Sequence, residues 1–440
     1  MSDIILTHGY FLHEDPKELQ IMKPYAPLGL LYLSSYLRGK GFDVEIYDST
    51  FGSREELFRI LETETPATLG IYANLMTRAN ALAILERATA CGWKVVMGGP
   101  EPANYAEEYL AAGAGVVISG EGELALEALL KGTVREQVPG LIFRAGDGST
   151  FNTGPARLLA DLDAQPWPDR ERVDIGQYLR AWRERHGVGS VSVITARGCP
   201  YHCRWCSHST YGKTHRRRSV ADVVNEVEWI IGRYGPEQIW FADDVFTIHH
   251  GWLDQYAAEM KRRGLRVSFE CITRADRLNA RVAAQLAELG CDRVWIGSES
   301  GSQRLLDAME RGVTIAQVRD AVGELKRNGI RTGMFFMWGY EGEEISDIEA
   351  TYEHVKACQP DVFFTTISYP IKGTPYYDEV APKLVQLGPW RSTTDREVKI
   401  RGRRSRRFYQ LADQLLRSQT PDEAAAVRQR LADAYSEVEA

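Results

Sequence analysis

The strongest constraint on the fold is an alternation. Within the first 130 residues five short apolar runs, 4–6, 44–47, 69–72, 95–97 and 116–118, are separated by segments of helical periodicity at 28–37, 55–61, 79–90, 104–110 and 123–130. Runs that are apolar on both sides of the chain read as strands buried on both faces. Parallel neighbours need crossover connections, so this order predicts a doubly wound α/β parallel sheet. Ligands of such sheets bind beyond the carboxyl ends of the strands. The residues there are His8 and Gly9 after the first run, Asn74, Leu75 and Met76 after the third, Gly98, Gly99, Pro100 and Glu101 after the fourth, and Gly120, Glu121 and Gly122 after the fifth. Glycines at several strand ends let a large flat ligand approach the backbone. The absence of Gly-x-Gly-x-x-Gly after the first run disfavours a dinucleotide.

A short hairpin at 139–154, turning around Asp147-Gly148, is expected to close a first domain at 1–153. Residues 154–189, with Pro155, Pro166 and Pro168, read as a linker. A second βα series follows, with strands at 190–195, 238–242, 267–272, 293–296, 332–337 and 362–368 and helices at 220–234, 253–263, 280–289, 315–328 and 345–358. Six such units make a barrel-like sheet open on one side, with its site at the carboxyl ends of the strands. The pattern runs over 190–375, and 376–440 reads as a small helical region with helices at 408–416 and from Pro421.

The second series opens directly into Ile194-Thr-Ala-Arg-Gly-Cys199-Pro-Tyr-His-Cys203-Arg-Trp-Cys206. Cys199, Cys203 and Cys206 can act as metal ligands, because three thiolates can hold a four-iron, four-sulfur cluster and leave one iron open to a small molecule. Haem attachment requires Cys-x-x-Cys-His, and here Ser207 precedes His208. A redox Cys-x-x-Cys leaves Cys199 without a role. Zinc held by the three cysteines and His208 stays open as an alternative. Seven cysteines, an odd number with three clustered, fit a reducing compartment better than a disulfide framework.

With Trp205 just before its last cysteine, the loop resembles the signature of the radical S-adenosylmethionine superfamily. The resemblance implies that the methionyl amine and carboxylate chelate the open iron. An external electron donor of flavodoxin or ferredoxin type then drives reductive cleavage to a 5'-deoxyadenosyl radical. It further places Ala242, Asp243 and Asp244 near the methionyl amine and Arg274 near its carboxylate, Ser298 and Glu299 near the ribose, and Phe336 and Met337 beside adenine. The bland alternatives are a helix cap for one of the acids, an ion pair of Arg274 with Asp276, and plain core for Phe336 and Met337.

Upstream, Pro27-Leu-Gly-Leu-Leu-Tyr-Leu-Ser-Ser-Tyr-Leu37, Val96-Met-Gly-Gly-Pro100 and Ser119-Gly-Glu-Gly-Glu123 resemble, in that order, the cobalamin-binding domain that precedes many such enzymes. The domain lacks Asp-x-His-x-x-Gly, which implies cobalt without a protein histidine; the central place of the third strand in a doubly wound sheet then puts the lower face of cobalamin against Asn74, Leu75 and Met76. Together the resemblances imply a Rossmann-like cobalamin domain followed by a partial (β/α)6 barrel. The implied activity is methyl transfer from methylcobalamin to an unactivated carbon of a small-molecule substrate. Open alternatives are a ring-forming reaction like that of the anaerobic magnesium-protoporphyrin ester cyclase, a non-catalytic cobalamin sensor, and a flavodoxin-like domain that merely supports the barrel. Methylthiotransferases share the domain order but carry three cysteines in the first domain, where this chain has only Cys91.

A net charge of -7 argues against a broad nucleic-acid surface, and the run Lys213, His215, Arg216, Arg217 and Arg218 reads as solvated. No segment reaches membrane-spanning length and the start lacks a secretory pattern, so a cytoplasmic protein is expected. Cys271 lies near a strand's carboxyl end and is expected to be buried; Cys91, Cys291 and Cys358 read as small apolar residues. Lys399, Arg401, Arg403, Arg404, Arg406 and Arg407 read as a solvated helix face.

Overall fold

The first strand, β1 (Ile4–His8), is buried along its whole length, as a strand between two parallel neighbours must be. In the computed structural model, which describes residues 2–208 and 210–439, β1 pairs in parallel with β2 (Val44–Tyr47) and β3 (Thr68–Tyr72). The sheet continues through β4 (Lys94–Gly98) and β5 (Val116–Ile118), then antiparallel through the hairpin β6 (Leu141–Arg144) and β7 (Thr150–Asn152). Its order is β2-β1-β3-β4-β5-β6-β7. Ile4, Leu6, Leu30, Leu37, Val116 and Leu141 belong to the core on one side of this sheet.

Contacts divide the chain into two compact units, Met1–Pro200 with His208–Trp240, and Tyr201–Ser207 with Phe241–Ala440. The division does not fall in 154–189. That segment carries a helix, Ile175–His186, capped by Asp174 and ended by Gly187. It also supplies Arg170, which is fully buried against Glu226 at 2.5 Å and donates to the Ser192 carbonyl at 2.9 Å. The linker reading fails here because its proline and charge content is local, whereas the partners of Arg170 lie on β8 (Ser190–Val193) and on the helix Val220–Tyr234.

In the basic run before that helix Lys213 is exposed, but Arg216 and Arg218 are not solvated as expected. A short ribbon pairs β9 (Ala196–Arg197) with β10 (Arg216–Arg217). Arg216 binds Glu121 at 2.7 Å, while Arg218 donates to Glu226, to Asp222 at 2.6 Å and to the Ile194 carbonyl at 2.9 Å. Burying so many charges is tolerable only because each guanidinium meets carboxylates or carbonyls.

The second sheet is ordered β15-β14-β13-β12-β11-β8, with β11 (Gln238–Phe241), β12 (Ser268–Thr273), β13 (Cys291–Glu299), β14 (Arg331–Trp338) and β15 (Val362–Ile367). Strands β12 to β15 are parallel. Their crossover helices end where side-chain chemistry ends them. Asn279 caps Ala280–Leu289 and Gly290 closes it in the left-handed region, and Thr314 with Gln317 forms a capping box for Ile315–Arg327. The C-terminal part adds a ribbon, β16 (Leu384–Val385) with β17 (Lys399–Ile400), and helices Arg406–Arg417 and Pro421–Asp433. Of the C-terminal basic residues, Arg403 is not on a solvated face: it binds Glu439 at 3.0 Å and donates to the Ser368 carbonyl at 2.7 Å. Among the described residues no helix is long and apolar enough to cross a membrane.

Glu226 neutralises both Arg170 and Arg218 in a dry site. Glu226→Gln should therefore lower stability by about 3–5 kcal/mol, since it strands buried charge. Glu171→Gln, which removes an exposed partner of Arg233, should cost under about 1 kcal/mol. Urea unfolding of the two variants against the parent chain checks the contrast.

Candidate functional site

At the carboxyl ends of β3, β4 and β5 the first unit holds a cavity of about 110 Å³, walled by Gly98, Gly99, Gly120, Glu121, Gly122 and Tyr211 among others. Gly99 has a φ of 104°, and a Cβ on it would run into the Ala73 carbonyl, so this turn admits no side chain. A Cβ on Gly98 would meet nothing within 4 Å, which leaves this strand end open to a ligand. The cavity takes one ring-sized group, while the open glycine edge suits a larger, flat one.

The other expected strand-end residues do not wall this cavity. Asn74 folds into a turn in which its Oδ1 accepts from the N–H of Met76 at 2.9 Å and of Thr77 at 3.1 Å, leaving Leu75 half-buried and Met76 51% exposed. Pro100 is half-buried. Glu101 is buried and held by the Arg78 guanidinium and the Tyr109 hydroxyl, so it serves an internal ion pair. Gly9 abuts the start of the helix Arg78–Ala90, where a Cβ would stand 2.8 Å from the Ala81 nitrogen.

His8 is buried with both ring nitrogens engaged. Nδ1 accepts from the Tyr10 N–H at 3.2 Å, which assigns the proton to Nε2 for donation to Asp48 Oδ1 at 3.1 Å. Asp48 also accepts from the Tyr178 hydroxyl at 2.6 Å and the Thr50 N–H at 3.1 Å. Burial works to raise this carboxyl, but the hydrogen bonds prevail and hold it below its ordinary value.

Of the loop cysteines, Cys199 belongs to the first unit and Cys203 and Cys206 to the second. They are half-buried, buried and exposed in that order. Among the described residues no group of three or more His, Cys, Asp or Glu is arranged to hold a metal ion. What the second unit does show is the surroundings of Cys203. Its Sγ accepts from Arg311 Nη1 at 3.7 Å and from Arg274 Nη1 at 3.9 Å. A metal-bound thiolate carries negative charge, and two cationic donors on its sulfur complement it, so Cys203 fits a cluster ligand.

Arg274 is buried, stacked 3.6 Å over the Tyr201 ring and paired through Nε with Asp276 at 2.9 Å. The ion pair weighed as its alternative role is therefore formed. Arg311 reaches three groups at once: Cys203, the Gly297 carbonyl at 3.0 Å and Glu299 at 3.7 Å. Nothing in the sequence singled out Arg311. It lies outside the recognised motifs, and only the folded chain brings it to them.

Glu299 ends β13 in the left-handed region, φ 62°. Burial pushes its carboxyl up, against the pull of Arg311 and Arg274. It shares a cavity of about 180 Å³ with Trp205, Phe335, Phe336, Met337 and Tyr369. The Phe336 ring also packs edge-on against His354 and Phe363. Ser298 is turned elsewhere, its hydroxyl 3.1 Å from His354 Nε2. At the end of β11, Ala242 is half-buried, Asp243 buried and Asp244 exposed. Cys271 is fully buried beside Cys291, whose thiol is pushed up by burial and by Cys271.

Residues 193–355 match the radical SAM superfamily and residues 21–130 the B12 binding domain. The chain is 31% identical over 385 residues to the uncharacterized methyltransferase PH0819 of Pyrococcus horikoshii, covering 84% of this chain and 81% of that protein. It is 26% identical over 380 residues to the anaerobic magnesium-protoporphyrin IX monomethyl ester cyclase of Cereibacter sphaeroides, covering 82% of this chain and 61% of that one. The fold is similar to that of the radical S-adenosylmethionine methyltransferase TsrM from Kitasatospora setae, solved with cobalamin and a 4Fe-4S cluster. The TM-score is 0.74 at 21% identity, over 90% of this chain and 84% of that one.

Glu343, just beyond β14, is a further group that the sequence did not flag. Its Oε2 accepts from the Gly339 N–H at 2.7 Å, while Oε1 is buried without a partner among the described residues. Burial pushes this carboxyl up to about 8. The folded chain thus keeps a proton that the unfolded chain releases above the ordinary value of 4.5, so stability falls as pH rises from there through about 8. Glu343→Gln removes that loss. Its stability advantage over the parent should grow between pH 5 and 8, reach on the order of 3 kcal/mol and then level off, as chemical denaturation at pH 5, 7 and 9 will show.

Proposed function

The chain belongs to the cobalamin-dependent radical S-adenosylmethionine enzymes, as a methyltransferase, and from that premise we propose that it methylates an unactivated carbon of a small molecule. When bound, the cluster, S-adenosylmethionine and cobalamin supply a carbon-centred radical and a transferable methyl group. The chain's own part is to hold and orient these groups. Cys199, Cys203 and Cys206 are the cluster thiolates in this reading. Asp243 or Asp244 receives the methionyl ammonium, and the glycine-rich strand ends of the first sheet take cobalamin.

One observation carries the reading: Arg311 touches both the Cys203 sulfur and the Glu299 carboxylate. A cluster ligand and a ribose acceptor belong within one cofactor's length of each other, and this guanidinium links them. Glu299 supports the assignment further. At 3.7 Å its ion pair with Arg311 exceeds hydrogen-bond length, and no donor among the described residues hydrogen-bonds the carboxylate. A half-buried acid lining a cavity without a hydrogen-bond donor of its own is suited to the hydroxyl pair of a ribose.

The domain assignment that goes with this reading is 1–153 for cobalamin, 190–375 for the barrel and 376–440 as an added helical region. Seven cysteines, an odd number with three clustered, support work in a reducing cytoplasm with an external flavodoxin- or ferredoxin-type electron donor. The net charge of -7 supports a small-molecule substrate over nucleic acid. Oxidative ring formation is the second reading, supported by the likeness to the cyclase.

Anaerobically reconstituted protein should hold about four irons per chain, and the triple alanine variant of the loop cysteines none. Zinc in place of iron would overturn the cluster assignment. Glu299→Ala should weaken S-adenosylmethionine binding and suppress 5'-deoxyadenosine. With doubly labelled methyl donor and candidate metabolites, a labelled methyl in the product supports methyl transfer, whereas an unlabelled product that has lost hydrogen supports ring formation.

A further inference from the structure

The conformation of Glu299 has a visible cause. In the pairing of β13 with β14, Gly297 stands opposite Phe335 and Glu299 opposite Phe336, so Ser298 is an extra residue. Such a bulge bends its strand and re-aims the next side chain. Glu299 pays for this with a φ of 62°, a strained value for a residue with a side chain. Strain of this kind persists only where the surroundings over-determine it.

The surroundings are one face of the helix Ile345–Cys358. Asp347, Thr351 and His354 are spaced four and three residues apart, share that face and are all buried. Asp347 accepts from the Ser302 hydroxyl at 2.6 Å. Thr351 accepts from the Gly301 N–H at 2.9 Å and lies 3.2 Å from the Ser300 hydroxyl. His354 Nδ1 accepts from Arg319 at 3.3 Å, which leaves Nε2–H to donate to the Ser298 hydroxyl at 3.1 Å. The helix comes so close that a Cβ on Gly301 would run into its backbone at Ala350 and Thr351. Three polar side chains of one helix thus hold Ser298, Ser300, Gly301 and Ser302, and Glu299 alone among them is turned to the cavity.

We propose that His354, through the hydrogen bond it donates to the bulge residue Ser298, is a positioning residue that aims the Glu299 carboxylate at S-adenosylmethionine. The proposal rests on the reading of Glu299 given above. His354 does not line the cavity; besides the bulge it touches Phe336, against which its ring packs edge-on, and the Gln and Leu variants separate that packing from the donated bond. Burial, reinforced by Arg319, lowers its imidazole to about 4, so the neutral ring that donates from Nε2 persists through the working pH range.

The test is the equilibrium affinity of the anaerobically reconstituted full-length chain for S-adenosylmethionine, read by titration calorimetry. Gln carries an amide N–H near the place of imidazole Nε2–H, while Leu fills the space without a donor. His354→Leu should bind about tenfold more weakly, the scale of one lost buried hydrogen bond, and His354→Gln should restore affinity to within about threefold of the parent. In a Glu299→Ala background His354→Leu should add no further loss. Should His354→Leu fail to fold, Ser298→Ala removes the same bond by deleting one oxygen and should show the same tenfold loss. Equal weakening by Leu and Gln would mean that packing rather than the donated bond matters, and would overturn the proposal. If Glu299→Ala weakens binding but neither His354→Leu nor Ser298→Ala does, the proposal falls while the reading of Glu299 stands. If Glu299→Ala binds like the parent, the reading itself falls and the proposal with it.

Discussion

The start of the cysteine loop depends on one buried electrostatic cluster. Arg197, two residues before Cys199, inserts its guanidinium between Glu121 at 3.1 Å and Glu123 at 2.8 Å, and all three side chains are at most 5% exposed. Glu121 also binds Arg216 from the facing strand of the β9–β10 ribbon, and Gln165 accepts from Arg197 at 2.6 Å while donating to Glu123 at 2.7 Å. Buried charges gain little net stability over apolar side chains, but they tolerate no misplacement, because an unpaired one costs several kcal/mol. The effect is to fix the chain entering the loop to the end of β5 in a single arrangement. Tyr32 and Tyr211 lie 5.1 and 5.6 Å from the same guanidinium and close it off from water.

The second unit repeats this logic around Cys203. Arg274 and Arg311 brace each other through the Arg311 carbonyl and converge on one sulfur. Asp276 takes up part of the charge of Arg274, and Glu299 answers Arg311 from a longer distance. The two acids have different consequences. Asp276 is hydrogen-bonded at 2.9 Å and completes a closed ion pair, whereas Glu299 is held at 3.7 Å with its oxygens toward a cavity. Burial raises its carboxyl because the nearby cations offset desolvation only in part. Such a group gains most from ligand donors, which is why an under-satisfied acid at a strand end points to binding.

Apolar periodicity made most of the fold legible. The helices Glu123–Leu130, Val220–Tyr234, Ala280–Leu289 and Ile345–Cys358 begin and end where the apolar periodicity places them. Cys199, Cys203, Cys206 and Glu299 were likewise singled out from the sequence, and their roles belong to the proposed function. The misses share one cause. Arg170, Arg216, Arg218 and Arg311 are charged residues in polar contexts, and locally they look solvated. Partners lie 56 residues away for Arg170, 95 for Arg216 and 108 for Arg311, and no short-range pattern encodes such a pairing; Arg218, whose acids Asp222 and Glu226 are local, was missed because its burial is set by the tertiary fold. The helix Ile175–His186 was missed for a related reason, since it follows a proline-rich stretch that signals a break and its Asp174 cap reads equally well as loop.

The first sheet raises the question of what it can offer a metal. Imidazole ligates through a nitrogen free of other bonds, and His8 has none: Nδ1 accepts from Tyr10 and Nε2 is committed to Asp48. Freeing Nε2 would take from Asp48 a hydrogen bond that keeps its carboxyl ionised against burial, leaving the Tyr178 hydroxyl and the Thr50 N–H to hold the charge. Leaving a buried charge short of donors costs about 1–3 kcal/mol, so ligation by His8 would start from that deficit. The loop at the end of β3 carries instead an amide tied into its own turn and, at Met76, an exposed thioether, a weak and soft donor. A corrin held at this edge would be gripped by backbone and apolar groups, and the His8 imidazole, bonded on both sides, would have no nitrogen left to offer a metal.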